Sequence, residues 1–119
     1  MHKVLLVDDD ADLLEMVDMV LTKQGYNVST SSNGSSFFDR VHSFKPDLIL
    51  LDIFLGDADG RTLCRQLKQA TGQKDIPVIL YSAGNIPRYT IENSLADDFV
   101  AKPFDIKKLA EKMQSMLAS

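Results

Sequence analysis

The sequence predicts a doubly wound α/β domain, with a five-stranded parallel sheet in the order 2-1-3-4-5 and helices on both faces. Five short apolar runs alternate with five segments of helical spacing, the pattern of strands joined by crossover helices. The third run, Leu48 to Leu51, is apolar at every position, as a strand covered on both faces must be. With 119 residues, 45% of them hydrophobic, the chain is long enough for one core and too short for two ordinary domains. Right-handed crossovers in so short a chain favour the order 2-1-3-4-5, in which strands one and three are neighbours.

The strand candidates are Lys3 to Val7, Asn27 to Thr30, Asp47 to Leu51, Pro77 to Tyr81 and Asp98 to Ala101; their lengths and β-branched content suit strands. The clearest helix runs from Ala11 to Gln24, with Leu13, Leu14, Val17, Val20 and Leu21 on one face and Gly25 as its stop. Phe37, Phe38 and Val41 give a second stripe, and Leu63, Cys64 and Leu67 a third. Asp105 is an N-cap candidate for the last helix, where Leu109, Ala110, Met113, Met116 and Leu117 repeat at three and four. The fourth helix is the weakest. Pro87 sets its start near Ile86 or Pro87, Arg88 to Ala96 holds two β-branched residues, Asn93 and Ser94, and no glycine closes it. Tyr89, Ile91 and Leu95 are its only sizeable apolar anchors.

Composition narrows the function. The formal net charge is −4 and the isoelectric point about 5.0, with no basic stripe, which argues against direct nucleic-acid binding. No apolar run approaches the roughly 20 residues needed to cross a bilayer, so a membrane role would come through a partner. The single cysteine, Cys64, and an N-terminal apolar stretch that ends in three aspartates point to the cytoplasm. Cys64 lies on an apolar stripe and reads as a core residue. His2 and His42 lack metal-ligand spacing and read as surface residues.

The chemistry gathers at the strand ends. The first strand ends in Asp8, Asp9 and Asp10 and the third in Asp52, so the expected topology brings several carboxylates to one edge of the sheet. Their repulsion asks either for partial protonation or for a hard, oxygen-seeking cation such as Mg²⁺. The fourth strand ends in Ser82, and the fifth in Lys102 followed by Pro103. A cation, a hydroxyl and an ammonium around one carboxylate would neutralise the oxygens of a transferring phosphoryl group, with Asp52 as the nucleophile. Simpler readings stand beside this one: the aspartates as caps of the first helix, Ser82 as the start of a turn, and Phe99 as core packing.

These pieces together resemble the response-regulator receiver family of two-component signalling, over the whole length. The resemblance is carried by Val7-Asp8-Asp9, Leu51-Asp52-Ile53, Asp59-Gly60, Ser82-Ala83 and Asp97-Asp98-Phe99-Val100-Ala101-Lys102-Pro103-Phe104. It implies a flavodoxin-like fold forming a single receiver domain over residues 1–119, either stand-alone or excised from a longer regulator. It implies phosphorylation of Asp52, with Mg²⁺ or Mn²⁺ held by Asp8, Asp9, Asp52 and the backbone carbonyl of Phe54. Ser82 and Lys102 would contact the phosphoryl oxygens, Phe99 would turn inward with Ser82 on activation, and Lys102–Pro103 would be a cis peptide. The phosphoryl donor would be a histidine kinase or a histidine phosphotransfer protein, docking near Met16, Met19 and Phe104. The domain would catalyse only its own phosphorylation and dephosphorylation, and would act on a downstream partner that the sequence does not name. A phosphorylation-dependent dimer stays open.

Rival readings fare worse. A flavin carrier wants a glycine- and hydroxyl-rich phosphate loop after the first strand, where three aspartates would repel a phosphate. A haloacid-dehalogenase-type phosphatase would close its first strand with its lead aspartates, whereas Asp57-Ala58-Asp59-Gly60 follows Gly56. An EF-hand needs ligands at alternate positions and a later Glu. A receiver-like interaction module that works without phosphorylation would not need the complete set Asp8, Asp9, Asp52, Ser82 and Lys102. Departures from the family lie in the flexible Phe54-Leu55-Gly56-Asp57 loop and in Leu95, where a glycine is usual. The resemblance implies that Phe54 and Gly84 lie beside the path of an attacking water, and since neither offers it a side-chain hydrogen bond, a long-lived phosphoryl group is expected.

Overall fold

The computed structural model describes residues 1–70, 75–102 and 105–118. Its elements alternate strictly: β1 Lys3–Val7, α1 Ala11–Lys23, β2 Asn27–Ser31, α2 Phe37–Phe44, β3 Leu48–Asp52, α3 Gly60–Gln69, β4 Val78–Ser82, α4 Arg88–Asn93, β5 Asp98–Ala101 and α5 Ile106–Leu117. The five strands form one parallel sheet in the order β2-β1-β3-β4-β5, as the alternation predicts.

Alternation of side chains along the strands divides the core into two layers. Leu5, Val7, Ile49, Leu51, Val78 and Leu80 meet Phe37 and Val41 of α2 and Leu63, Cys64 and Leu67 of α3. Val4, Leu6, Leu48, Leu50, Ile79 and Tyr81 meet Leu14, Val17 and Leu21 of α1 and Leu109 and Met113 of α5. Every residue of β3 is buried, which is why that run carries no polar alternation. Each large aliphatic side chain buried here contributes about 1.5–3 kcal/mol before chain entropy is counted.

Aspartates set the starts of α1, α3 and α5. Asp10 caps α1 by accepting from the backbone of Asp12 and Leu13, Asp59 caps α3, and Asp105 caps α5. After α1 the chain turns through Gly25 at φ 98°. The Asp59-Gly60 pair has a steric reason: a Cβ on Gly60 would stand 2.2 Å from the Asp52 carbonyl oxygen, so only glycine lets α3 begin against the end of β3. Gly60 N–H donates to the Ile53 carbonyl at 2.6 Å.

α4 departs from its expected anchoring. It spans six residues, none buried, and Tyr89 and Leu95, expected as anchors, are 67% and 45% exposed. Six residues supply less than two full turns, so the helix cannot present a sustained stripe. Leu95 itself takes the left-handed conformation, φ 66°, that glycine would otherwise supply at the helix end. Polar contacts hold the element instead: Arg61 of α3 donates to Thr90 Oγ1 at 3.0 Å, and Arg65 donates to the Asn93 carbonyl.

Candidate functional site

Strand register assembles the site. Val7 pairs with Leu51, Asp52 with Tyr81, and Ser82 with Ala101. The residues that follow, Asp8 after β1 and Lys102 after β5, therefore reach the same edge as Asp52 and Ser82. This is the carboxyl end of a parallel sheet at the β1/β3 switch point, where doubly wound folds bind ligands.

Asp8 and Asp52 are buried, while Asp9 is exposed at the rim. One carboxylate oxygen from each of the three lies within 4.8 Å of the others. Lys102 Nζ stands 3.1 Å from Asp8 Oδ2 and 3.5 Å from Asp52 Oδ2. Three carboxylates thus face one ammonium among the described groups, leaving a deficit that a divalent cation would close. The all-oxygen donor set suits a hard ion of the Mg²⁺ or Mn²⁺ kind, so the residues fit the metal that the sequence implies. Burial, and then the charge of Asp8, raise the Asp52 carboxyl to about 6, against the opposing pull of Lys102 and of the Phe54 backbone.

The remaining expected residues lie around this centre. Ser82 is buried at the end of β4, its Oγ donating to the Ala83 carbonyl at 3.2 Å. Phe99 is half-buried against the α2/α3 side of the core, and shares a groove of about 410 Å³ with Ile86, Ile91 and Ala96. The Phe54 ring points outward, 54% exposed, with the Arg61 guanidinium 5.6 Å from its centroid. Met16 and Met19 face outward from α1. The expected cis peptide at Pro103 and the partner contact at Phe104 lie outside the described residues. Burial pushes the Cys64 thiol up to about 12, which fits the reading of it as an inert core residue.

Two residues of the site were not singled out from sequence. Tyr81 donates its buried hydroxyl to Asp8 Oδ2 at 2.9 Å, with the Val7 carbonyl at 3.2 Å. Its ring lies 4.9 Å from Lys102 Nζ. Burial and the charge of Asp8 hold its proton well above the usual phenol range, so it stays a donor. A tyrosine in an otherwise aliphatic strand was the available signal, since a buried phenol needs a partner. Arg61 chelates Asp59 at 2.7 and 3.0 Å while reaching Thr90, which ties the loop after Asp52 to α4. Asp59 is held below the usual carboxylate range by that guanidinium.

A parallel sheet of this order with an acidic edge, a strand-end serine and a strand-end lysine defines a receiver. The chain belongs to the response regulator receiver domain family, whose profile matches residues 4–114. It is similar to the transcriptional regulatory protein KdpE of Staphylococcus aureus, 34% identical over 114 residues that cover 94% of this chain and 48% of the relative. It is similar too to the DNA-binding dual master transcriptional regulator RpaA of Synechocystis sp., 32% identical over 98% of this chain and 49% of that protein. The chain spans about half the length of these curated relatives. Among solved structures, a response regulator described as putative from Chloroflexus aurantiacus superposes with a TM-score of 0.91 at 30% identity, covering 99% of this chain and 98% of that one. The protein is therefore a receiver domain of the two-component response regulator kind. Among the described residues no helix is long and apolar enough to cross a membrane.

Proposed function

We propose that the chain acts as a single receiver domain over residues 1–119 and accepts a phosphoryl group on Asp52 from a phosphohistidine of a histidine kinase or phosphotransfer protein. The observation that carries this reading is the setting of Asp52: a buried carboxylate with Lys102 at 3.5 Å and the Asp8 and Asp9 oxygens within 4.8 Å. An Asp52 Oδ attacks phosphorus, the donor's P–N bond breaks with its electron pair going to the ring nitrogen, and the imidazole, protonated on its other nitrogen from solvent, leaves as the neutral ring, so that an acyl phosphate replaces a phosphoramidate. Asp8, Asp9, Asp52 and the Phe54 carbonyl would hold the divalent cation. When bound, it supplies positive charge against the phosphoryl oxygens. Lys102 supplies a second positive charge from the protein, and Ser82 a hydroxyl donor at the next strand end.

The same reading makes Ser82 and Phe99 the groups through which the change reaches the α4–β5 surface, and Met16 and Met19 contacts for the donor. It places the chain in the cytoplasm, limits its catalysis to its own phosphorylation state, and gives this acidic chain no direct contact with nucleic acid, DNA binding being named for the relative RpaA. Intact-mass measurement after treatment with a small phosphodonor tests it. One phosphoryl adduct is expected, lost in Asp52→Asn and in excess chelator; an undiminished adduct in either case would refute the assignment. The exposed Phe54 ring cannot orient water by hydrogen bonding, so the adduct should be long-lived. Phe54→Asn should shorten its half-life several-fold in a phosphate-release assay, and an unchanged half-life would remove Phe54 from that role.

A further inference from the structure

We propose that Tyr81 is a positioning residue of the carboxylate site, its hydroxyl fixing Asp8 and its ring seating Lys102 so that Asp8 is oriented to receive a divalent cation. The inference rests on the functional reading above and adds a residue to it. Asp8 has no exposed surface. Its Oδ1 accepts from the Asp10 backbone N–H at 2.8 Å, and its Oδ2 accepts from Tyr81 at 2.9 Å and from Lys102 at 3.1 Å. A carboxylate offers about four acceptor directions. With three taken by groups on three different segments, rotation of Asp8 would break at least one bond, and the direction that remains open is fixed.

The phenol has one proton, and among the described residues its hydroxyl reaches Val7 O at 3.2 Å and Asp8 Oδ2 at 2.9 Å. The nearer and ionised one is the stronger partner. Packing alone does not explain the hydroxyl. Tyr81 shares its face of β4 with Ile79, among Leu6, Leu50, Leu109 and other apolar side chains, where a leucine would serve and would carry no polar atom to satisfy. The ring has a second use. Lys102 Nζ sits 4.9 Å from its centroid while bonded to Asp8 and 3.5 Å from Asp52, so the ring walls the ammonium into the position between the two carboxylates. Outer partners that orient a metal-binding group typically govern affinity by about 10–100-fold.

The test is calorimetric titration of MgCl₂ into the whole chain and into Tyr81→Phe, which deletes only the hydroxyl, with Ile79→Val as a packing control on the same face of the same strand. Circular dichroism at the titration temperature establishes that each protein is folded. Tyr81→Phe should bind Mg²⁺ about ten-fold more weakly, and Ile79→Val should bind it as the parent does. Equal affinity in Tyr81→Phe and the parent would overturn the proposal, as would an equal loss in Ile79→Val, which would assign the effect to packing. A parent that binds no Mg²⁺ would overturn the functional reading, and this inference with it.

Discussion

At neutral pH Asp52 carries its charge against burial and against Asp8, which together raise its carboxyl from 3.8 to about 6. The folded state then holds this proton more tightly than the unfolded chain does. Its contribution favours folding below the unfolded value of 3.8 and is lost as pH rises through about 6. Full conversion gives about 3 kcal/mol, and solvent at the open rim reduces it to about 1–2 kcal/mol. Asp52→Asn should therefore stabilise the metal-free protein by about that amount at pH 7.5, with the gain shrinking towards pH 4.5. Urea unfolding at the two pH values checks this. A variant no more stable than its parent at pH 7.5, or a gain unaltered by pH, would contradict the charge account.

Other single residues were legible in sequence to different degrees. Asp8, Asp9, Asp52, Ser82 and Lys102 could be placed from strand ends alone, because in a parallel sheet every strand delivers its last residue to the same edge. Tyr81 could not, because the direction in which a buried phenol points depends on register and on neighbours two strands away. Arg61 was hidden for a similar reason: its partners Asp59 and Thr90 belong to a loop and to a helix 29 residues further on.

Among the elements, the strands and the helices with long apolar stripes follow their patterns to within about a residue at most ends. α4 does not. A short segment with β-branched residues has little intrinsic helicity, so its extent is set by contacts that a sequence pattern does not display. The structure supplies those contacts through Arg61 and Arg65 and exposes Tyr89 and Leu95. An element with no buried side chain, pinned by polar bonds at its surface, opens at low cost. Amide hydrogen exchange should be fast across Asn85 to Ala96 compared with α1, and should slow when Asp52 is phosphorylated. Protection equal to that of α1 and indifferent to phosphorylation would contradict this. Arg61 makes the link concrete, since one guanidinium touches Asp59, the Phe54 ring and Thr90.

On the scale of the whole molecule, the fold was legible because strand and helix alternate five times, each apolar strand turning at the carboxyl edge into a helix that, in every case but α4, returns an apolar stripe to the sheet. Alternation along the strands makes both faces of the sheet apolar, and the strand order with right-handed crossovers fixes which face each helix covers. Chemistry then follows from topology, because the acidic strand ends meet at the switch point whatever the loops do. Loops and the α4 surface are where the sequence is least informative, as neither carries a periodic signal.

The central claim is that Asp52 is the residue that takes the phosphoryl group. An acyl phosphate is reduced by borohydride, which converts the phosphorylated aspartate into homoserine and leaves free carboxylates alone. Peptide mapping after phosphodonor treatment with Mg²⁺ and then borohydride should find homoserine at position 52, with Asp8, Asp9 and Asp59 unchanged. Homoserine at one of those aspartates, or none at position 52 under conditions that give an intact-mass adduct, would contradict the account.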